Sequence, residues 1–103
     1  MGKWTHEKFI RYDNQGYLLF SSTLMRYINE RYNKPTSAFV GVNDRERVIR
    51  LTLNRSGNGY CISSNGTGSG GKTSLGRGKK VTGLEHKRYF DLEYGNDYIE
   101  MRY

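Results

Sequence analysis

Residues 65–74 read Asn-Gly-Thr-Gly-Ser-Gly-Gly-Lys-Thr-Ser, and within them Gly66, Gly71, Lys72 and Thr73 stand at the spacing of a phosphate-cradling loop. In that chemistry backbone amides at a helix N-terminus converge on the phosphates, the lysine reaches the outer ones and the threonine hydroxyl holds magnesium. The loop must therefore open a helix. Here Thr73 is followed by Ser-Leu-Gly-Arg-Gly-Lys-Lys, in which Gly76 and Gly78 oppose helix formation. No apolar strand ending in aspartate stands elsewhere as a magnesium holder, and a chain of 103 residues leaves no room for a doubly wound sheet. Nucleotide hydrolysis is not expected, and neither is a cofactor.

The same segment has a second chemistry. Residues 64–80 contain six glycines and one large apolar residue, Leu75, so nothing in them repays the entropy of ordering glycine by burial. A flexible basic loop is expected. It carries Lys72, Arg77, Lys79 and Lys80, with Lys87 and Arg88 just beyond it. Such an arm orders on nucleic acid by contacting phosphates, which positions a partner without reading its sequence; the alternative is a solvated linker between parts of a sheet.

The charge supports a polyanionic partner. Formal net charge is +7 and pI about 9.7, divided as +5 in residues 1–62, +5 in 63–88 and −3 in 89–103. Each phosphate neutralised by lysine or arginine releases condensed counterions, although a basic surface also keeps a small domain soluble.

Other catalytic and metal chemistry is thinly supplied. His6 and His86 are the two histidines and Cys61 the single thiol; none stands at ligand spacing with another, so no metal site is expected. Cys61 lies in the strand-like stretch Gly59–Ser63, where a small buried hydrophobe is expected rather than a nucleophile. Asp91, Glu93, Asp97 and Glu100 cluster near the C-terminal end, alternating with apolar residues as a wet strand face does, with Asp91 and Glu93 within reach of the basic loop. Nine tyrosines suit either base stacking on a β surface or sheet packing. Packing is expected for most of them.

The elements that must position these residues follow from patterning. Residues 8–13 and 17–20 read as strands around Asn14-Gln15-Gly16, whose asparagine and glycine suit a tight turn. Ser21 and Ser22 suit a helix cap, and Leu24, Tyr27 and Ile28 then share one face of a helix of about three turns, ended by Pro35. Residues 37–42 and 47–53 are strand-like, joined through Asn43-Asp44, and 59–63 is a further short strand. At the C-terminal end Phe90, Leu92 and Tyr94 alternate with polar neighbours, Gly95-Asn96-Asp97 turns, and Ile99, Met101 and Tyr103 alternate again, a terminal hairpin over 87–103. One domain over 1–103 is expected, mainly β with one short α-helix. With a single cysteine, no leader-like apolar start and no apolar run approaching a membrane span, a cytoplasmic setting is expected.

Within residues 9–53 the order strand, Asp13-x-x-Gly16, Leu18-Leu19-Phe20, Ser21-Ser22 and a helix with Leu24-x-Arg26 resembles the AbrB-like (SpoVT-AbrB) swapped-hairpin DNA-binding domain, found in bacterial regulators and phage relatives. Three positions depart from its pattern: Tyr17 stands where a basic residue is usual, Ser21 where proline opens the helix, and the connection through Pro35 is longer. The resemblance implies a swapped-hairpin or barrel-like sheet domain that dimerises because a half-domain cannot bury its own apolar faces, with Lys8, Arg11, Tyr17 and Arg26 toward DNA. Three functions are thus expected to compete. One is a DNA-binding transcription regulator using Lys8, Arg11 and Arg26 with the loop as a phosphate arm. Another is a tyrosine-lined single-strand binder. The third is a phage-type accessory protein that binds and inhibits a host nucleoprotein such as a CRISPR effector. None is an enzyme.

Overall fold

The computed structural model describes residues 7–13, 16–64, 70–74, 83–85 and 87–103. Strands β1 (Ile10–Tyr12) and β2 (Tyr17–Phe20) pair antiparallel, Ile10 opposite Phe20. Their turn uses Gly16 at φ +90°, a backbone angle that costs glycine little, and closes through Gly16 N–H to the Asp13 carbonyl at 3.0 Å. Helix α1 (Ser22–Arg31) follows at once.

Ser21 makes that abrupt change of structure possible. Its Oγ accepts from Leu24 N–H and from Phe9 N–H, both at 3.2 Å, and donates to the Glu7 carbonyl at 2.9 Å. One donor and two lone pairs are the whole capacity of a hydroxyl. Ser21 therefore caps α1 while fastening the segment before β1 to the helix start. The helix buries Leu24 and Ile28 and ends as Asn33 and Lys34 turn to positive φ ahead of Pro35.

Strands β3 (Ser37–Asn43) and β4 (Val48–Asn54) form a long hairpin, Ser37 opposite Asn54 and Asn43 opposite Val48. Six shorter strands follow among the described residues: β5 (Tyr60–Cys61), β6 (Ser63–Ser64), β7 (Gly71–Ser74), β8 (Arg88–Tyr89), β9 (Leu92–Tyr94) and β10 (Tyr98–Arg102). They make two antiparallel five-stranded sheets, in the orders β6-β7-β2-β1-β8 and β5-β3-β4-β10-β9. The chain passes between the sheets at both edges. At one it pivots on Ile62, whose N–H reaches the Thr36 carbonyl at 2.9 Å. At the other it pivots on Phe90-Asp91, where Leu92 N–H turns back to the Phe90 carbonyl at 3.0 Å.

The core fills the space between. Ile10, Leu18, Phe20 and Tyr89 point in from the first sheet, Ala38, Val40, Ile49, Leu51, Leu53, Ile99 and Met101 from the second, and Leu24 and Ile28 from the helix. The first half of the chain is thereby covered by the second, with β10 against β4, β8 against β1 and β7 against β2. Among the described residues no helix is long and apolar enough to cross a membrane.

Three expectations are corrected. The glycine-rich segment 64–80 is not simply loop, because Gly71–Ser74 is a strand paired along β2. Its glycines serve close approach: a Cβ at Gly70 would lie 2.6 Å from the Phe20 carbonyl oxygen, and one at Gly71 2.5 Å from Met25 Sδ. The terminal hairpin is β9 with β10 only; the pivot at Phe90-Asp91 sends Tyr89 into the core and leaves Phe90 52 % exposed, the reverse of the simple alternation. Cys61 is exposed, since β5 is an edge strand and Ile62 is the residue that packs against the core.

Ser21→Ala removes three hydrogen bonds at once and is expected to cost about 1–2 kcal/mol, the upper part of the N-cap range, read as a fall in melting temperature of about 4–8 °C per kcal/mol. Gly70→Ala is expected to destabilise more than Gly71→Ala in the same thermal melts, because Gly70 abuts backbone and Gly71 a flexible methionine.

Candidate nucleic-acid interface

The period of two along a strand means that burying one set of residues exposes the other. In the first sheet Ile10, Leu18, Phe20, Thr73 and Tyr89 face inward, so Arg11, Tyr17, Leu19, Lys72 and Arg88 face outward. Register then aligns them. Arg11 lies opposite Leu19 and Arg88, Leu19 opposite Lys72, and Lys72 opposite Ser63. A row of Lys72, Leu19, Arg11 and Arg88 crosses four neighbouring strands, about 14 Å from end to end at the usual strand spacing. None of the outward strand positions of this sheet carries a carboxylate.

Aromatic rings border the row. The Lys72 ammonium stands 4.6 Å from the Tyr17 ring centroid. At the other end the Arg88 guanidinium lies 4.9 Å from the Phe9 ring, and Phe9 meets Phe90 edge to face at 5.6 Å. A guanidinium stacked on a ring keeps its charge.

The outward face of the second sheet differs. Arg50 lies across from Glu100 and binds it through Nε at 2.8 Å and Nη2 at 2.6 Å, while its guanidinium stacks 4.2 Å from the Tyr98 ring. That hydrogen bond to Glu100 raises the Arg50 pKa above its ordinary value. Glu93 is paired with Arg102 at 3.4 Å. A shallow concavity of about 400 Å³ there is lined by Gly41, Glu46, Arg50, Glu100 and Arg102 among others. Both signs of charge meet in it.

The structure thus brings together four of the residues expected to contact nucleic acid, Arg11, Tyr17, Lys72 and Arg88, and places three elsewhere. The Lys8 ammonium lies 4.8 Å from the Tyr27 ring on the helix side. Arg26 is exposed about 200° around α1 from buried Leu24. Lys87 lies 5.1 Å from the Tyr89 ring, in a concavity shared with Arg47, Asp91 and Tyr103. Arg77, Lys79 and Lys80 lie outside the described residues, as do His6 and His86. Phe9 and Phe90 were missed: alternation across residues 89–94 predicts Phe90 buried, and the pivot that exposes it has no distinctive residue pattern.

Lys72 and Thr73 settle the geometry of the phosphate-loop motif at its C-terminal end. Both sit on β7, Lys72 outward and Thr73 1 % exposed toward the core. Neither opens a helix, so the amide cradle is not formed by them. Among the described residues no group of three or more His, Cys, Asp or Glu side chains could hold a metal ion.

Most tyrosines join elements. Tyr27 packs edge to face on Tyr94 at 4.7 Å, and the Tyr32 hydroxyl reaches the Gly95 carbonyl at 2.9 Å and that of Tyr98 at 3.1 Å. Arg31 donates to Tyr27 Oη at 2.7 Å, which raises its pKa. Together they fasten α1 to the β9–β10 hairpin. The Tyr89 hydroxyl accepts from Glu85 N–H at 2.7 Å, and that of Tyr103 binds Asp44 at 3.0 Å. Only Tyr60 among them is exposed.

No protein-family model, curated protein or solved structure matches the chain. The likeness to AbrB-like domains rests on the residues of 9–53 that carry it.

Burial pushes the Tyr94 hydroxyl up to about 12, and burial likewise raises Tyr32. A folded-state pKa raised above the unfolded value stabilises the fold below pH 10 and loses that contribution as pH rises toward about 12. Thermal melts across that window are expected to show a fall in stability that is smaller in Tyr94→Phe.

Proposed function

We propose that this chain is a small, basic, cytoplasmic nucleic-acid-binding protein that holds a phosphate backbone against the outward face of its first sheet. The row Lys72, Leu19, Arg11 and Arg88, on a face whose outward strand positions lack carboxylates, carries this reading. The second sheet differs in charge, because carboxylates of Glu100 and Glu93 stand beside its outward Arg50 and Arg102.

A polyanion laid across the row neutralises charge at three side chains and releases the counterions condensed on its phosphates. Such contacts position a backbone and carry no base information, so this face binds without a sequence preference of its own. A regulatory role at a particular site needs further contacts, for which Arg26 on the exposed side of α1 is available.

Binding of labelled random-sequence DNA measured by anisotropy across a salt series tests the proposal. With three phosphate contacts the slope of log affinity against log salt is about −2 to −3. Arg11→Ala is expected to weaken binding and reduce the slope by about 1. Arg45→Ala, the same charge change in the β3–β4 turn, is expected to do neither. Equal losses from both variants would show that net charge, and not this face, does the binding.

A further inference from the structure

We infer that the outward face of the first sheet takes single-stranded nucleic acid in preference to duplex, with bases stacking on Phe90 and Tyr17 at the two ends of the cationic row. The inference rests on the nucleic-acid reading above and names its substrate.

Phe90 is the clue. A phenylalanine 52 % exposed has given up about half of its hydrophobic stabilisation, and here it stands at the Arg88 end of the row. Phe9 connects the two, touching Phe90 edge to face at 5.6 Å and lying under Arg88 at 4.9 Å. Edge-to-face packing leaves a ring face of the exposed partner uncovered. At the other end Tyr17 is partly buried beneath Lys72 at 4.6 Å. Each end of the row therefore sets a cation over a ring, Lys72 over Tyr17 and Arg88 over Phe9 with Phe90 beside it, and Arg11 stands between them.

That alternation matches an unpaired strand. Its bases are free to splay and stack on aromatic side chains, while its phosphates follow the cations. In a duplex the bases are already stacked and paired, so the rings have nothing to take. The row is also the right length: about 14 Å corresponds to about four nucleotides of stacked strand, at the short end of the sites bound by β-sheet single-strand binders. Strand pleating adds a directional consequence. The row runs across the β-strands, so the nucleic acid crosses them at a large angle, passing from β7 over β2 and β1 to β8.

The test uses the full chain with fluorescein-labelled single-stranded oligothymidylate, oligouridylate and a duplex of equal length, by anisotropy at one moderate salt concentration. Tighter binding of the single strands is expected, with the two sugar types distinguishing DNA from RNA as the natural source. Phe90→Ala and, independently, Tyr17→Ala are each expected to weaken single-strand binding by about five- to a hundred-fold, the range of a lost base stack, with duplex binding little changed. Phe90→Trp, which restores a stacking surface, is expected to recover the affinity. Equal, salt-sensitive binding of single strand and duplex, unaffected by either aromatic variant, would overturn the inference and leave the phosphate-binding reading standing. Failure to bind any of the three probes would overturn both.

Discussion

The register of four antiparallel strands, β7, β2, β1 and β8, is the constraint on which both core and surface depend. Side chains alternate strictly along a strand, so fixing Ile10, Leu18, Phe20 and Tyr89 inward fixes Arg11, Leu19, Lys72 and Arg88 outward. A slip of one residue on β1 would bury Arg11 and expose Ile10. The desolvation of an unpaired guanidinium far exceeds any surface interaction lost. The apolar core therefore enforces the cationic row, and the surface feature needs no stabilising interactions of its own.

Much of this architecture is legible in the amino-acid sequence, and the parts that are not share a cause. The hairpin around Gly16, the Ser21 cap, the Leu24–Ile28 face and the β3–β4 pair follow from local signals: turn residues, capping hydroxyls and periodicity. What escapes is the passage of the chain between sheets. Residues 59–63 read as one strand but fall in two, β5 and β6, and residues 88–94 read as half of a hairpin but serve two sheets as well. At each pivot the inside-outside alternation restarts, which is why Cys61 and Phe90 are exposed. Long-range pairing decides these positions, and a single sequence records it weakly. The same holds for the candidate site: Arg11, Lys72 and Arg88 are 16 to 77 residues apart in the chain and become neighbours only through β2 and β8.

The glycine-rich segment shows how a motif and a composition mislead together. Gly66 to Thr73 match a nucleotide loop by letter, and the glycines suggest freedom. Yet Gly70 and Gly71 stand where a side chain would strike Phe20 or Met25, so their want of a Cβ lets β7 draw close to β2 and the helix. The tyrosines behave as expected. Packing is the reading for most of them, and Tyr27, Tyr32 and Tyr94 are spent at the joint between helix and terminal hairpin, where a ring packs and a hydroxyl satisfies a turn carbonyl.

The placement of β10 has a consequence for how the chain acquires its structure. Tyr98–Arg102 is an inner strand, bound on one side by β4 and on the other by β9, and it brings Ile99 and Met101 to the centre of the core. Until those residues leave the ribosome, β4 has a bare flank and the core lacks two of its fully buried side chains. The first sheet waits too, since β1 is flanked by β8. With its decisive pairings so distant along the chain, the domain folds on the slower timescale of β proteins whose contacts are mostly non-local.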